Sequence, residues 1–164
     1  MVDVSDMVVG VVEDSRGFAE LEEWEDLHRR CPRATPVQSW AWLYSWWEYY
    51  GGGHEPRLIT VRNPRGLLVG ILPFMVEFRS VYVGRLLLVG TELSDYLDVI
   101  VRAGWEDKVL ESGVQALKKL ECWHIADLQQ LRPEAAAWGI RRWWDRPRVG
   151  RSNLETMHSL TGVT

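Results

Sequence analysis

The stretch Ser39-Trp40-Ala41-Trp42-Leu43-Tyr44-Ser45-Trp46-Trp47-Glu48-Tyr49-Tyr50 narrows what this chain can fold into more than any other. It reads as one helix. Thr35 and Gln38, three apart, suit a capping box, and Pro36 fits a first helical turn. Gly51-Gly52-Gly53 ends the run abruptly. At 3.6 residues per turn, Trp40, Leu43, Tyr44 and Trp47 fall on one stripe, and Trp42, Trp46, Tyr49 and Tyr50 on another. A helix apolar on two sides must be covered on two sides. Its own sheet can supply one cover; a ligand, a second domain or a partner chain must supply the other. Ten tryptophans in 164 residues reinforce the point, since aromatic excess marks a large core, a binding groove or a docking surface. Core packing is the commoner reason for such stripes.

The other elements follow from periodicity and punctuation. Residues 7–13 are β-branched and short, a first strand. Asp14-Ser15 caps a helix carrying Phe18, Leu21, Trp24 and Leu27, which Pro32 stops. Two strands, 57–62 and 67–78, are joined by the turn Asn63-Pro64-Arg65-Gly66. Pro73 predicts a bend, a bulge or an edge within the second. A third strand opens at residues 86–89, a helix spans 105–120, and a short strand 123–128. One helical turn at 132–137 and a last strand at 140–144 complete the pattern. The expected order is β-α-α-β-β-β-α-β, an α+β fold with a mixed, mostly antiparallel sheet flanked by helices. Residues 1–144 are expected to form a single domain and 145–164 an irregular tail.

Several function classes are disfavoured. A net charge of −4 is no chain-wide nucleic-acid footprint. Arg141, Arg142, Arg146, Arg148 and Arg151 crowd the C-terminal end and read as a solvated tail. Cys31 and Cys122 lie outside any C-x-x-C pattern, and His28, His54, His124 and His158 lack metal-ligand spacing, so no metal is expected. No apolar run approaches the ~20 residues that span a bilayer, and no leader pattern is evident. A cytoplasmic protein is expected. Neither a G-x-S-x-G elbow nor a phosphate-binding G-K-[ST] loop occurs.

Candidate chemistry concentrates in residues 85–101. Gly90-Thr91 breaks the apolar run, and Glu92, Ser94, Asp95, Tyr96 and Asp98 follow before a second run, Val99-Ile100-Val101. Polar residues held between buried strands are a common setting for function. In an extended backbone Tyr96 and Asp98 would share a face. A carboxylate there can orient an acceptor or take its proton, and a tyrosine can donate to a carbonyl. The competing reading is a polar turn, with Asp95 capping it and Asp98 solvated or paired with an arginine.

Three segments, Q-S-W-x-W-L-x-x-W-W-x-x-Y-G from Gln38, V-G-I-L-P-F from Val69 and G-T-x-L-S-D-Y-L-D from Gly90, together resemble the N-terminal half of the CelD/BioF-type acetyltransferases, a GNAT-like group related to FemAB-type transferases. The resemblance covers most of the chain. It implies acyl transfer from an acyl-CoA, such as acetyl-CoA, to an amine or hydroxyl of a small acceptor linked to envelope or exopolysaccharide synthesis. It further implies that a second GNAT-like half, or a partner subunit against the tryptophan-rich helix, holds the donor. The donor pyrophosphate loop of GNAT domains, Q/R-x-x-G-x-G/A, has no match here. Acceptor contact is then expected from Gln38, Trp42, Asp95, Tyr96 and Asp98, with Asp98 and Tyr96 the candidates for catalysis, in a groove between residues 38–46 and 94–98. The alternative is a non-catalytic docking module whose aromatic helix covers a partner domain.

Overall fold

In the computed structural model, which describes residues 3–80, 83–143, 148–152 and 157–161, a thirteen-residue strand is the spine of the sheet. The sheet and flanking helices have the expected α+β architecture. The spine, β3 (Leu68–Ser80), pairs along one edge with β2 (His54–Arg62), which in turn pairs with β1 (Val8–Val12). Its other edge is shared by two strands. β4 (Val83–Leu88) covers Phe74 to Ser80, and β5 (Ile100–Val101) covers Gly70 and Ile71. All these pairings are antiparallel. The polar loop of residues 89–99 leaves at the end of β4 and returns as β5.

Pro73 sits where β4 gives way to β5, paired with Leu58 and with no register shift beside it. Its carbonyl accepts from Val89 N at 2.9 Å. Its nitrogen therefore faces the junction between β4 and β5, where a missing N–H costs little. The expected bend, bulge or edge is not needed.

Beyond β4 the sheet continues with β6 (Ile125–Leu128), which runs parallel to β4. Gly84 makes this junction possible: a Cβ there would collide with the Cys122 carbonyl. The whole order is β1-β2-β3-β4-β6-β8-β7, with β7 (Arg148–Ser152) and β8 (Met157–Thr161) antiparallel to each other and β8 antiparallel to β6. The expected irregular tail thus contains two strands. They satisfy the outer edge of β6, whose backbone groups would otherwise lack partners.

Helices cover both faces. Even-numbered residues of β3 face α4 (Glu106–Lys119): Leu72 meets Gly113, and Gly70 leaves room for Val109. Odd-numbered residues, Met75 and Glu77 among them, face the side where α3 (Trp40–Tyr50) lies. The single helix expected after Asp14 is two, α1 (Ser15–Ala19) and α2 (Trp24–Arg29). The break lets Phe18 and Trp24 stack at 5.6 Å, both fully buried, with Tyr44 edge-on to Phe18 at 5.4 Å. Indole N–H groups in this nucleus donate to Gln38 O (Trp24, 2.9 Å), Phe18 O (Trp40, 3.2 Å) and Ser15 Oγ (Trp47, 2.9 Å). One stripe of α3 is therefore core.

Residues 136–143, whose later part was expected as a strand, form a 3-10 segment, Ala136–Trp143. Its cause lies in the polar loop, in the carboxylate of Asp98.

Candidate ligand site beneath the aromatic helix

The aromatic helix and the polar loop meet along a seam, and the seam is closed at one end. Thr35 and Gln38 form the expected capping box, with Gln38 Oε1 accepting from Thr35 N at 2.8 Å. The box closes a separate 3-10 turn, Pro36–Gln38, however, and Ser39 caps the aromatic helix by accepting from Trp42 N. Gln38 Nε2 donates across the seam to Asp98 O at 3.1 Å, and Thr35 Oγ1 reaches Tyr96 O at 3.5 Å. One turn along, Trp42 Nε1 donates to Ser94 Oγ at 2.8 Å. Sequence reasoning brought the right two segments together, but the expected groove between them is filled by their own hydrogen bonds.

Each expected site residue has a definite place. Gln38 is buried, its amide used by the cap and the seam. Asp98 is buried too, and its carboxylate accepts from Val99 N, Ala136 N and Ala137 N, each at 2.8 Å. It fastens the loop after β4 to the 3-10 segment after β6. Burial pushes its carboxyl above the ordinary value, against the three N–H donors and Arg132 that hold it down. Buried at 1% exposure and engaged by these donors, the carboxylate does not reach an acceptor at the surface, which corrects its expected catalytic role. Tyr96 does not share a strand face with it: Tyr96 has φ +64° in a loop, and its ring is exposed. Asp95 is exposed as well, and Trp42 is half-exposed behind its bond to Ser94.

The seam opens one helical turn further on. A cavity of about 260 Å³ lies between Trp46 and Tyr50 of α3, the tip residues Thr91, Glu92 and Leu93, and the sheet. A shallower groove of about 310 Å³ continues along Trp42, Tyr49, Tyr50 and Leu93. The cavity floor is a row across three strands, because His54 of β2 is in register with Glu77 of β3, and Glu77 with Arg85 of β4. Arg85 Nε bonds Glu77 Oε2 at 3.0 Å, and Arg85 Nη1 bonds Asp127 Oδ2 of β6 at 3.1 Å. His54 Nε2 stands 4.0 Å from Glu77 Oε1. Burial lifts the Glu77 carboxyl, but Arg79 and Arg85 together hold it below the usual carboxylate range. Trp46 lies edge-on to His54, with centroids 6.2 Å apart.

This row was missed from the sequence because its members are distant along the chain. The available signal was Glu77 and Arg85, charges set among apolar neighbours in two strands.

The structure also tests where an acyl-CoA would fit. Phosphate is held by free N–H groups at a helix start, favoured by the positive dipole end. The first turn of α4 carries Glu106 and Asp107, which repel phosphate. Ligands of open sheets commonly enter beyond the carboxyl ends of parallel strands. Here the segments leaving β4 and β6 are laced together by Asp98. The acidic start of α4 therefore does not fit a pyrophosphate. Among the described residues there is no group of His, Cys, Asp and Glu fit to hold a metal, and no helix long and apolar enough to cross a membrane.

No family model matches the chain, and no curated protein matches it. Among solved structures, it overlaps a manganese-bound spermidine/spermine N-acetyltransferase of Vibrio cholerae with a TM-score of 0.45 at 9% identity, covering 96% of this chain and 92% of that one. A spermidine N-acetyltransferase from the same organism, in complex with CoA and spermine, overlaps with a TM-score of 0.37 at 12% identity, covering 76% and 70%. Overlaps this loose assign neither fold family nor activity, and the strand order above stands on its own geometry.

Proposed function

We propose that this chain is the acceptor-binding, GNAT-like domain of an acyltransferase, with the acyl-CoA held by a second half or a partner subunit. The observation that carries this reading is the asymmetry of the molecule. It has a cavity with aromatic walls and a polar floor, suited to a small polar acceptor, and an acidic α4 start unsuited to a nucleotide pyrophosphate. The seam motifs Gln38 to Trp47 and Gly90 to Asp98, on which the family resemblance rests, build that cavity's frame and give it part of its lining, Trp46 from the first and Thr91, Glu92 and Leu93 from the second.

The acceptor would lie against Trp46 and Tyr50, over His54, Glu77 and Arg85. Trp42, Asp95 and Tyr96 would border its outer end. Envelope or polysaccharide precursors, with an amine or hydroxyl as the acylated group, are the acceptor class the resemblance implies.

Titration calorimetry with acetyl-CoA tests the division of labour. No saturable heat is expected from the chain alone. Micromolar binding would make it a donor-binding enzyme and overturn the reading.

A second reading has its own observation. Trp42 is 47% exposed, Tyr49 81%, Tyr50 57% and Leu93 55%, all along one groove. A face of this kind also suits a docking module that covers a partner domain. Concentration-dependent dimerisation abolished by Tyr49→Ser would favour it.

A further inference from the structure

We propose that the cavity beneath Trp46 and Tyr50 selects a ligand bearing an ammonium group, with the Glu92 carboxylate as its ion partner and the space between His54 and Glu77 as the seat of its N–H groups. This rests on reading the cavity as the acceptor site, and narrows the acceptor from amine or hydroxyl to a cationic amine.

The charges around the cavity decide the sign. Arg85 is committed to Glu77 and Asp127, and Arg79 bonds Glu77 at 3.1 Å. These two cations and two carboxylates cancel. Glu92 remains: among the described residues no cation pairs with it, and it lines the cavity from the tip of the loop. An anionic ligand would meet an unbalanced carboxylate and guanidinium groups whose charge Glu77 and Asp127 already offset. A cation would find its counter-charge waiting.

The walls suit the same ligand. Trp46 and Tyr50, ring centroids 6.0 Å apart and tilted by 36°, bound the cavity beside Glu92, and aromatic faces attract cations. With its proton on Nδ1, His54 makes the floor a pair of acceptors. His54 Nε2 and Glu77 Oε1 are 4.0 Å apart, too far to bond well to each other. A ligand nitrogen about 2.9 Å from each would donate to both at roughly a right angle, within reach of tetrahedral N–H groups. With about 260 Å³, the cavity accommodates one small ring or the end of a longer chain. Glu92 also has φ +77°, a left-handed conformation uncommon for a residue with a side chain.

The test uses two probes of one shape and different charge, cyclohexylammonium and cyclohexanol. Each is titrated at pH 7 and low salt, followed by calorimetry and by the Trp46 indole N–H resonance. The ammonium should bind at least tenfold more tightly than the alcohol and weaken as salt rises. Glu92→Gln, an exposed change that leaves the melting temperature in place, should cut the preference to threefold or less. Equal binding of the two probes overturns the proposal, as does a preference that survives Glu92→Gln. The two readings fail separately. Selective ammonium binding with no acyl transfer beside any donor-binding partner removes the acyltransferase reading and leaves this one. Transfer to hydroxyl acceptors alone does the reverse.

Discussion

The two ends of one seam behave differently although one continuous segment, residues 35–50, and the same loop build both. At the closed end, Gln38 and Trp42 are hydrogen-bonded to Asp98 and Ser94. At the open end, Trp46 and Tyr50 stand away from Thr91, Glu92 and Leu93, with a charged row beneath them. Polar residues at the closed end are spent on one another and on backbone groups. Those at the open end keep capacity for a ligand. The segments that are easiest to recognise thus close one end of the seam with Gln38, Trp42, Ser94 and Asp98 and line the other with Trp46, Thr91, Glu92 and Leu93.

The comparison breaks most visibly at Asp98. Removing a buried carboxylate that accepts three N–H bonds orphans the starts of two segments. Asp98→Ala should cost about 3 kcal/mol and lower the melting temperature by about 6–12 °C in calorimetry. A loss below about 1 kcal/mol would mean that the closed end is not what holds the loop. Asp98 also carries a pH signature. Its folded pKa is raised above the ordinary value, so the fold binds this proton more tightly than the unfolded chain does. The stabilisation is complete below the unfolded pKa and is lost as pH rises through the folded one. In urea unfolding, the advantage of the wild type over Asp98→Asn should therefore shrink from pH 4 to pH 7. An advantage that grows instead would show the three N–H donors outweighing burial.

Gln38→Ala is the next step down. It removes the seam bond to Asp98 O and the acceptor for Thr35 N, both buried or half-buried, and should cost about 1–2 kcal/mol by urea denaturation. Smaller again is Ser94→Ala, which strips the half-exposed Trp42 indole of its acceptor at a cost of about 1 kcal/mol or less. Ligand affinity at the open end should change less than twofold in Ser94→Ala. A tenfold loss would mean that the two ends act as one site.

Much of this frame was legible. The capping box at Thr35 and Gln38, the turn at Asn63 to Gly66 and the α4 stripe are local, and local rules found them. Asn63 Oδ1 accepts from Arg65 N and Leu67 N as turn chemistry requires, with Gly66 at φ +82°. What escaped is set by distance along the chain. No breaker residue announces the gap between α1 and α2; the stacking of Phe18 on Trp24, a tertiary fact, decides it. Likewise β7 and β8 form because β6 has an edge to satisfy, and their own residues show weak alternation. The pairing of His54, Glu77 and Arg85 depends on strand register, which a single sequence does not print. Asp98 misled for a related reason: its partners, the N–H groups of Ala136 and Ala137, are invisible to side-chain motifs.

The smallest expected stability change sits at the open end and is the most diagnostic. Glu92 holds φ +77°, a conformation that glycine adopts freely and that costs other residues on the order of 1 kcal/mol. Glu92→Gly relieves that cost, while the added freedom of the unfolded chain returns about 0.4–1 kcal/mol. The two nearly cancel, so the melting temperature should move by less than about 3 °C. Ammonium binding should fall by at least tenfold in the same variant, because the unpaired carboxylate is gone. A residue retained for folding alone would show the opposite pairing, a stability loss with affinity intact. Side by side, Asp98→Ala and Glu92→Gly separate the roles: one end of the seam gives up stability when cut, and the other gives up a ligand.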